Sequence, residues 1–495
     1  MQILKRHSAT LWLVLGATAL SGVACTKSLD QKNAHHSETL SKIDSLNAVD
    51  GCEWTLTEEN PADDRGTLTG LQLIKTMSVE DINGALPPGL PKAKNAVDAY
   101  KITYASQNLD GSPVTLSGLV LVPGTCGLGY PLISLQHATI FHKDEAPTAQ
   151  GLEGYFEASQ GFVVAVQDYH GFGDDADAIH PYLISKAYAV SGIDMLRATK
   201  QLASSNQVDV SKYLFLKGYS EGGYATLALQ REIEGDPDGE FEITASAPAA
   251  GPYDLMAVGY GGLKADIATP FLGMILNAYG TFITNEPSAA IFNDPEGWGI
   301  PEIYRGNHTM VDVAGILPAQ TSELVVAEYR DDFTSNVEKS LAGVEFQLPP
   351  LALALGANNL HVGWAPKSPT RFYHCVDDEV VPVLLTDSAF ASLGQGMDHI
   401  SIEKIESPEG APFTHATCPA IFSSLQWFGE ILGGGSTPTE PLEKETGEPV
   451  GGGSEPEVTE LPEVESDDYD KGEKTEELEA EKASDPVSQN PAQSK

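Results

Sequence analysis

The stretch that decides the fold is residues 212–234, which read Lys-Tyr-Leu-Phe-Leu-Lys-Gly-Tyr-Ser-Glu-Gly-Gly-Tyr-Ala-Thr-Leu-Ala-Leu-Gln-Arg-Glu-Ile-Glu. The apolar run Tyr213–Leu216 predicts a buried strand, and the residues Glu221–Glu234 predict a helix. Between them lies a Gly-x-Ser-x-Gly turn that contains Ser220. Such a tight turn strains the serine backbone and exposes its side chain above a helix N-terminus. Ser220 is therefore a candidate nucleophile, and the alternative is a glycine-rich turn without chemistry.

The charge of the chain limits its partners. The 495 residues include 29 Lys and Arg against 70 Asp and Glu, for a formal net charge of −41. A chain with so few cations offers no basic surface for phosphates, which argues against nucleic-acid binding. The length is sufficient for one large α/β domain with an inserted cap and tails.

The first 25 residues resemble a secretory signal. A basic start precedes the apolar run Ala9–Leu20, which is too short to span a bilayer comfortably. Cys25 then stands at the predicted cleavage point, as in a bacterial lipoprotein, where it would be acylated and hold the protein at a membrane. Cleavage after Ala24 without lipidation is the alternative, because the residue three before the cysteine is not leucine-like. We expect an exported protein, either a membrane-anchored lipoprotein or a secreted or periplasmic one.

The other four cysteines suggest two disulfides, since an even number in an exported chain is typical of oxidised pairs. Cys375 and Cys418 flank two candidate catalytic residues, so we predict that they pair, which leaves Cys52 for Cys126. Buried free thiols are the alternative. A structural zinc site is not expected, because the chain has no close Cys-x-x-Cys pair.

The chain divides into four parts by composition. Residues 1–25 form the signal and residues 26–48 a polar tether. Residues 49–432 form the predicted folded domain. Residues 433–495 are rich in Glu, Pro, Ser and Gly, and this composition predicts an acidic disordered tail.

Strand and helix patterns alternate through the predicted domain. We expect strands at Ala99–Ala105, Val114–Val122, Pro131–Leu135, Phe162–Gln167, Tyr213–Leu216, Ile243–Ala247, Arg371–Val376 and Ile400–Ile405, and helices at Tyr182–Ala203, Glu221–Glu234 and His415–Leu432. This alternation predicts an α/β fold with a mostly parallel, doubly wound sheet. The long interval between the sixth and seventh predicted strands predicts a helical cap insertion at about residues 255–350, which would exclude water and supply an apolar pocket. A second packing layer without a lid role is the alternative.

A serine needs a base, and the base needs an orienting carboxylate. The strand Arg371–Val376 leads into an acidic turn, where Asp377 and Asp378 compete for the role of the acid. His415 lies in the loop after the last predicted strand, where the base is expected. His399 enters that strand from the opposite edge and is predicted to be structural. The chain order Ser220, Asp378, His415 is the order expected of an α/β-hydrolase.

An oxyanion hole needs two preorganised donors. One is expected to be the backbone N–H of Glu221, directly after the nucleophile. The other is expected from the loop after Pro131–Leu135, as the backbone N–H of either His137 or Ala138. No cofactor is predicted, and His137 has no second ligand at metal spacing.

Several motifs together resemble those of the secretory lipase family of α/β-hydrolases, the lipase-A-like group, and its bacterial lipase and esterase relatives. The resemblance covers about residues 99–433 and rests on the acid and base segments together with Asp110-Gly-Ser-Pro-Val-Thr-Leu-Ser-Gly-Leu-Val-Leu-Val-Pro123, Gln136-His-Ala-Thr139, Asp168-Tyr-His-Gly-Phe-Gly173, His180-Pro-Tyr182 and Gly218-Tyr-Ser-Glu-Gly-Gly223. It implies that the catalytic acid stands one residue before a Val-Val-Pro ending, which corresponds to Asp378. It also implies a helical cap that shapes the acyl pocket. Ala138 departs from the family, whose bacterial members often have glycine there.

These observations favour a serine carboxylic-ester hydrolase that acts on small-molecule or lipid esters. Two alternatives remain at the level of sequence. One is a surface-anchored binding protein on a hydrolase scaffold, with the acidic tail as its interaction element. The other is a serine hydrolase that cleaves amides or peptides, because acyl transfer chemistry is shared and the cap decides access. The sequence does not predict an oligomeric state.

Overall fold

The structure is a computed structural model that describes residues 49–50, 54–56, 64–86, 91–126, 129–151, 153–206, 208, 210–266, 269–294, 297, 299–344 and 347–433. These described residues all belong to one compact unit. The predicted signal, the lipidation site Cys25, the tether and the predicted tail beyond Gly433 lie outside the described residues. Cys52 lies outside them too, so its pairing with Cys126 stays a prediction.

The strands and helices have the following bounds. The strands are β1 (Val49–Asp50), β2 (Leu68–Met77), β3 (Val97–Gln107), β4 (Pro113–Pro123), β5 (Thr125–Cys126), β6 (Tyr130–Gln136), β7 (Val163–Gln167), β8 (Val210–Tyr219), β9 (Ala245–Ala249), β10 (Thr370–Cys375) and β11 (Ile400–Ile405). The helices are α1 (Val79–Ala85), α2 (Pro147–Gln150), α3 (Tyr155–Ser159), α4 (Ser185–Ser205), α5 (Glu221–Gly235), α6 (Leu255–Lys264), α7 (Pro270–Tyr279), α8 (Ser288–Ile291), α9 (Ile300–Ile303), α10 (Met310–Ile316), α11 (Thr321–Leu324), α12 (Ala327–Leu341), α13 (Pro350–Ala357), α14 (Val383–Leu393) and α15 (Ser424–Leu432).

Among the residues that the structure describes, nine strands form the main sheet in the order β11-β10-β9-β8-β6-β7-β4-β3-β2. The six strands from β11 to β7 are parallel, whereas β4, β3 and β2 continue the sheet antiparallel. β1 pairs with β5 in a separate antiparallel ribbon. The predicted α/β class with a mostly parallel sheet is confirmed.

Side chains of the central strands alternate between two apolar layers, as the pleat of a strand requires. On β8, Leu214 and Leu216 pack with residues of α4 and α5, such as Leu196 and Leu229. Phe215 points to the other face, where it packs with residues of α3 and α15. Helices thus cover both faces of the sheet. This explains why the parallel strands read as continuous apolar runs.

The order of the strands fixes where a site can form. After β6 the chain adds β7 on one side of it, and it then crosses to add β8 on the other side. At such a switch point the connections leave in opposite directions and open a crevice at the carboxyl ends of the strands. The loop after β6 and the turn after β8 both border this crevice, and they carry His137 and Ser220.

A helical insertion separates β9 from β10. It contains α6 to α13 together with a π-helical turn at Gly280–Thr284. Its buried residues, including Leu272, Phe333 and Leu355, pack in one cluster with Tyr224 of α5 and Phe372 of β10. The insertion therefore packs against α5, the helix that follows Ser220, and against β10, the strand that precedes Asp378. That it acts as a lid over a substrate stays a prediction.

The end of the chain differs from the expected helix over residues 415–432. The helix α15 begins only at Ser424, and a 3₁₀ turn occupies Cys418–Ile421. Pro419 lacks a backbone N–H and is unfavourable inside a longer helix, so His415 remains in an irregular loop. The sequence patterns also do not predict β2, an edge strand, or the helix α14. The apolar residues of β2 are interrupted by polar and exposed ones.

The predicted Cys375–Cys418 disulfide is confirmed, with the two Cα atoms 6.0 Å apart. It closes a loop across 43 positions of the chain and joins the end of β10 to the loop of His415.

We expect the double variant Cys375→Ala/Cys418→Ala to lose roughly 2–4 kcal/mol of unfolding free energy, because the bond restricts the unfolded chain. Urea denaturation of the wild type and the variant measures the difference. A further loss when the variant is treated with dithiothreitol would reveal a second disulfide. An unchanged free energy of unfolding would contradict a stabilising role for the Cys375–Cys418 bond.

Candidate active site

Ser220 occupies the turn between β8 and α5. Its backbone has φ 59° and ψ −120°, a region that residues other than glycine rarely adopt. Such a conformation costs on the order of 1–3 kcal/mol and persists only where the surroundings enforce it. Here β8 ends at Tyr219 and α5 begins at Glu221, and the Ser220 N–H donates to the Ala249 carbonyl at 2.9 Å. The turn thus places Ser220 at the carboxyl end of β8, directly before the first residue of α5.

Two glycines make the turn sterically feasible. A Cβ atom at Gly222 would clash with the carbonyl oxygen of Gln136, and one at Gly218 would clash with the carbonyl oxygen of Gly222. The first turn of α5 therefore lies directly against the end of β6. The Gly-x-Ser-x-Gly pattern is thus a packing requirement of this turn.

The structure brings Ser220, His415 and Asp378 into one hydrogen-bonded chain. His415 Nε2 lies 2.9 Å from Ser220 Oγ, and His415 Nδ1 lies 2.7 Å from Asp378 Oδ2. The carboxylate accepts from Nδ1–H, so that Nε2 is free to accept the proton of the serine hydroxyl. Of the two predicted aspartates, Asp378 is buried and Asp377 is exposed.

Asp378 lies in a site that favours its charged form. Its Oδ1 accepts from the backbone N–H groups of Val380 and Val381, at 3.0 and 2.9 Å. Burial by itself raises the pKa of this carboxyl, but interactions with His374 and His415 outweigh burial and hold the pKa well below its usual range. The carboxylate therefore stays ionised beside His415.

Two further residues support this chain of hydrogen bonds, and the sequence analysis missed both. His374, fully buried on β10, lies with Nε2 3.4 Å from Asp378 Oδ2 and 2.9 Å from the Val381 carbonyl. Tyr219 donates its hydroxyl to the His415 carbonyl at 2.7 Å and packs its ring 4.9 Å from the imidazole. The sequence indicates these two residues only by their closeness to the candidate catalytic residues. Tyr219 directly precedes Ser220, and His374 lies four positions before Asp378.

His399, the other histidine of this region, lies away from the site. Its Nε2 is 2.9 Å from the carbonyl oxygen of Pro366, so it bonds to the loop that precedes β10.

The loop after β6 carries the second predicted oxyanion donor. The His137 ring is buried and stacks on Tyr169 with ring centroids 3.9 Å apart, and its Nδ1 lies 2.7 Å from the Ala138 carbonyl. The ring is thus held inside the protein, while the main chain of the loop lies beside α5. Glu221 is the first residue of α5, a position whose N–H lacks an intrahelical acceptor. The roles of both N–H groups stay predictions.

A cavity of about 310 Å³ borders the same loops. Ala138, Tyr219 and Phe422 contribute to its wall, together with a Lys217–Glu157 ion pair of 2.7 Å. Burial raises the pKa of Glu153, another wall residue. Ser220 and His415 are not among the residues of its wall.

The described residues contain no cluster of three His, Cys, Asp or Glu side chains that could hold a metal ion. Within the same ranges, the helices are too short or too polar to cross a membrane.

Comparisons with known proteins identify solved structures that are similar to this chain. No protein-family model matches the chain, and no curated protein matches it in sequence. Among solved structures, the chain is similar to the rice cell wall degrading esterase LipA from Xanthomonas oryzae in a ligand-bound form, with 28% identity and a TM-score of 0.64 over 73% of this chain and 97% of that one. It also resembles lipase A from Candida antarctica, with 16% identity and a TM-score of 0.51 over 76% and 84% of the two chains. At this identity the second likeness shows the fold alone. The predicted resemblance to lipase and esterase relatives and the α/β-hydrolase fold are confirmed.

The ionised Asp378 predicts a pH dependence of stability. A carboxyl whose pKa is lower in the folded state stabilises that state above its unfolded pKa, and this contribution is lost as the pH falls toward the folded pKa. We expect the unfolding free energy of the wild type to drop as the pH falls below about 4, and we expect Asp378→Asn to flatten this part of the profile.

Urea titrations between pH 7 and pH 2.5 provide the measurement, and Asp377→Asn is the matched control because it removes an adjacent exposed carboxylate. Equal slopes in the wild type and Asp378→Asn would contradict the lowered pKa.

Proposed function

We propose that the protein is a serine carboxylic-ester hydrolase that works through Ser220, His415 and Asp378. The observation that carries the proposal is the continuous hydrogen-bonded chain from Ser220 Oγ through His415 to Asp378, built on a strained strand-to-helix turn. A serine held in this way gains a base within proton-transfer distance, and the base gains a fixed orientation. The similarity to an esterase at 28% identity supports ester substrates.

The reaction follows from these contacts. Ser220 Oγ attacks the ester carbonyl while His415 Nε2 takes its proton, and the imidazolium then gives this proton to the oxygen of the leaving alcohol. An acyl group remains on Ser220. Water, deprotonated by His415, attacks this acyl group, and the proton returns to Ser220 as the carboxylic acid leaves. Asp378 stays ionised throughout and stabilises the imidazolium.

The negative oxygen of each tetrahedral intermediate needs fixed donors. The N–H of Glu221 and the N–H of His137 are the groups that we assign to this role, with the Ala138 N–H as the alternative to His137. The N-terminus of α5 adds a favourable partial positive charge to the same place. Donors on a rigid backbone need no reorganisation during the reaction, which is what makes them effective.

The substrate must reach a nucleophile that is only 8% exposed. The helical insertion packs against the elements of the site through Tyr224 and Phe372. We propose that this insertion forms a cap, that its apolar side chains contact the acyl group, and that small-molecule or lipid esters are the substrates. An exported location fits both the signal-like first 25 residues and the esterase relative, which is described as degrading a plant cell wall. Acylation of Cys25 remains part of the proposal.

The test is hydrolysis of p-nitrophenyl esters of graded chain length by the wild type and Ser220→Ala. We expect turnover by the wild type and a loss of roughly 10³-fold or more in kcat for the variant, since removal of the nucleophile leaves only binding and oxyanion stabilisation. The chain-length profile then reports the acyl group that the cap accepts.

A matched pair of aspartate variants controls for nonspecific damage. Asp378→Asn is expected to lose about 10⁴-fold in kcat, because an amide holds the wrong tautomer of His415, whereas Asp377→Asn keeps the activity of the wild type. An inactive wild type, or a Ser220→Ala variant that retains most of its activity, refutes the proposal.

A further inference from the structure

The side chain of Glu221 is a buried acid directly after the nucleophile, and the reaction described above uses only its backbone. Glu221 is 1% exposed, and it contacts His180, which is 4% exposed, and Tyr188, which is 1% exposed. A carboxylate at such a position is costly unless it is paired and hydrogen-bonded. Its retention beside the reacting atoms calls for a role.

His180 holds the Glu221 carboxyl through a ring that is itself fixed. His180 Nδ1 lies 2.7 Å from the carbonyl oxygen of His170, which can only accept, so Nδ1 carries a hydrogen. His180 Nε2 lies 2.8 Å from Glu221 Oε1 and is in hydrogen-bond contact with it. The imidazole is thus held at both of its ring nitrogens.

Tyr188 also holds the carboxyl of Glu221. Its hydroxyl donates to Glu221 Oε1 at 2.8 Å and accepts from the Leu183 N–H at 3.0 Å. Burial raises the pKa of Tyr188 well above its ordinary value, and the nearby Glu221 raises it further. The phenol therefore stays protonated and keeps its role as a donor. Oε1 thus makes two hydrogen bonds, with His180 of the loop that precedes α4 and with Tyr188 of α4 itself.

The held carboxyl of Glu221 and the proposed oxyanion donor belong to the same residue. The side chain and the N–H of Glu221 share one Cα atom, and the preceding residue is strained at φ 59°. Ser220 and Glu221 are joined by one peptide plane, whose rotation sets the direction of the Glu221 N–H. A residue clamped through its side chain resists that rotation. A 1 Å displacement of a catalytic group is enough to cost a large factor in rate.

We propose that the carboxyl of Glu221, held by His180 and Tyr188, is a positioning group that fixes the Glu221 N–H for the oxyanion. The inference rests on the proposed ester hydrolysis. The side chains of Glu221, His180 and Tyr188 thereby have a role in the transition state, in addition to their contribution to folding. Glu221, His180 and Tyr188 are positioning residues because their side chains reach the substrate only through the backbone of the turn.

The experiment compares the full-length wild type with Glu221→Ala, Tyr188→Phe and Glu221→Gln on one p-nitrophenyl ester. We expect Glu221→Ala to lose about 10- to 100-fold in kcat, a part of the cost of a missing donor, with little change in KM. Tyr188→Phe loses less, since one hydrogen bond to Oε1 remains. Glu221→Gln regains most of the rate, because the amide keeps the size and an acceptor oxygen.

A second readout isolates the oxyanion. A trifluoromethyl ketone with the same acyl chain forms a tetrahedral adduct on the nucleophile, and its affinity should fall by the same factor as kcat. Binding of the uncharged ground-state ester should stay unchanged. This pattern is the signature of an interaction made in the transition state alone.

The control is Asp194→Asn, which disturbs a buried carboxylate away from the site. Asp194 is fully buried and bonds to Arg65 at 3.1 Å, Arg197 at 3.0 Å and Ser106 at 2.7 Å. We expect a loss of thermal stability without a loss of kcat. If Glu221→Ala fails to fold, Tyr188→Phe carries the same comparison.

The outcomes separate the two proposals. A wild type that hydrolyses no ester refutes the proposed function and this inference with it. An active wild type whose Glu221→Ala and Tyr188→Phe variants keep kcat within about twofold, or lose no more than Asp194→Asn, refutes the positioning role alone.

Discussion

The strained turn at Ser220 is the constraint on which the rest of the site depends. A non-glycine residue at φ 59° is stable only because β8 and α5 hold both of its ends. The close contact of α5 with the end of β6 requires glycine at position 222. This contact brings the loop of His137 beside the N-terminus of α5. The same geometry therefore places the proposed nucleophile beside the backbone groups that we propose as donors for its oxyanion.

The charges around the turn are arranged in pairs, which is how a buried site carries charged groups. Asp378 is ionised between two histidines, and Glu221 lies 2.8 Å from the ring of His180. The Cys375–Cys418 disulfide joins the segment that carries Asp378 to the loop that carries His415. Asp378 and His415 thus belong to one covalently closed unit, although 37 positions of the chain separate them. The disulfide thus restricts the motion of Asp378 and His415 relative to each other.

The sequence predicted the parts whose signals are local. Apolar runs gave the parallel strands, and the turn chemistry identified Ser220. A family pattern favours Asp378 over Asp377, and the structure gives the physical reason, because Asp378 lies 2.7 Å from His415 Nδ1. The predicted start of the last helix at His415 is wrong, because Pro419 outweighs the helical pattern around it. Partnerships such as Tyr219 with His415, or Glu221 with His180, join residues far apart in the chain. Local patterns carry no information on such contacts, so these required the structure.

The most direct test of the account is covalent labelling of the wild type with an alkyl fluorophosphonate, followed by intact-mass and peptide mass spectrometry. An activated serine displaces fluoride and forms a stable phosphonate ester, whereas an ordinary serine hydroxyl is a poor nucleophile. The account predicts one adduct, on the peptide that contains Ser220, and none in Ser220→Ala. A folded wild type that remains unlabelled, or a label on another residue, would contradict it.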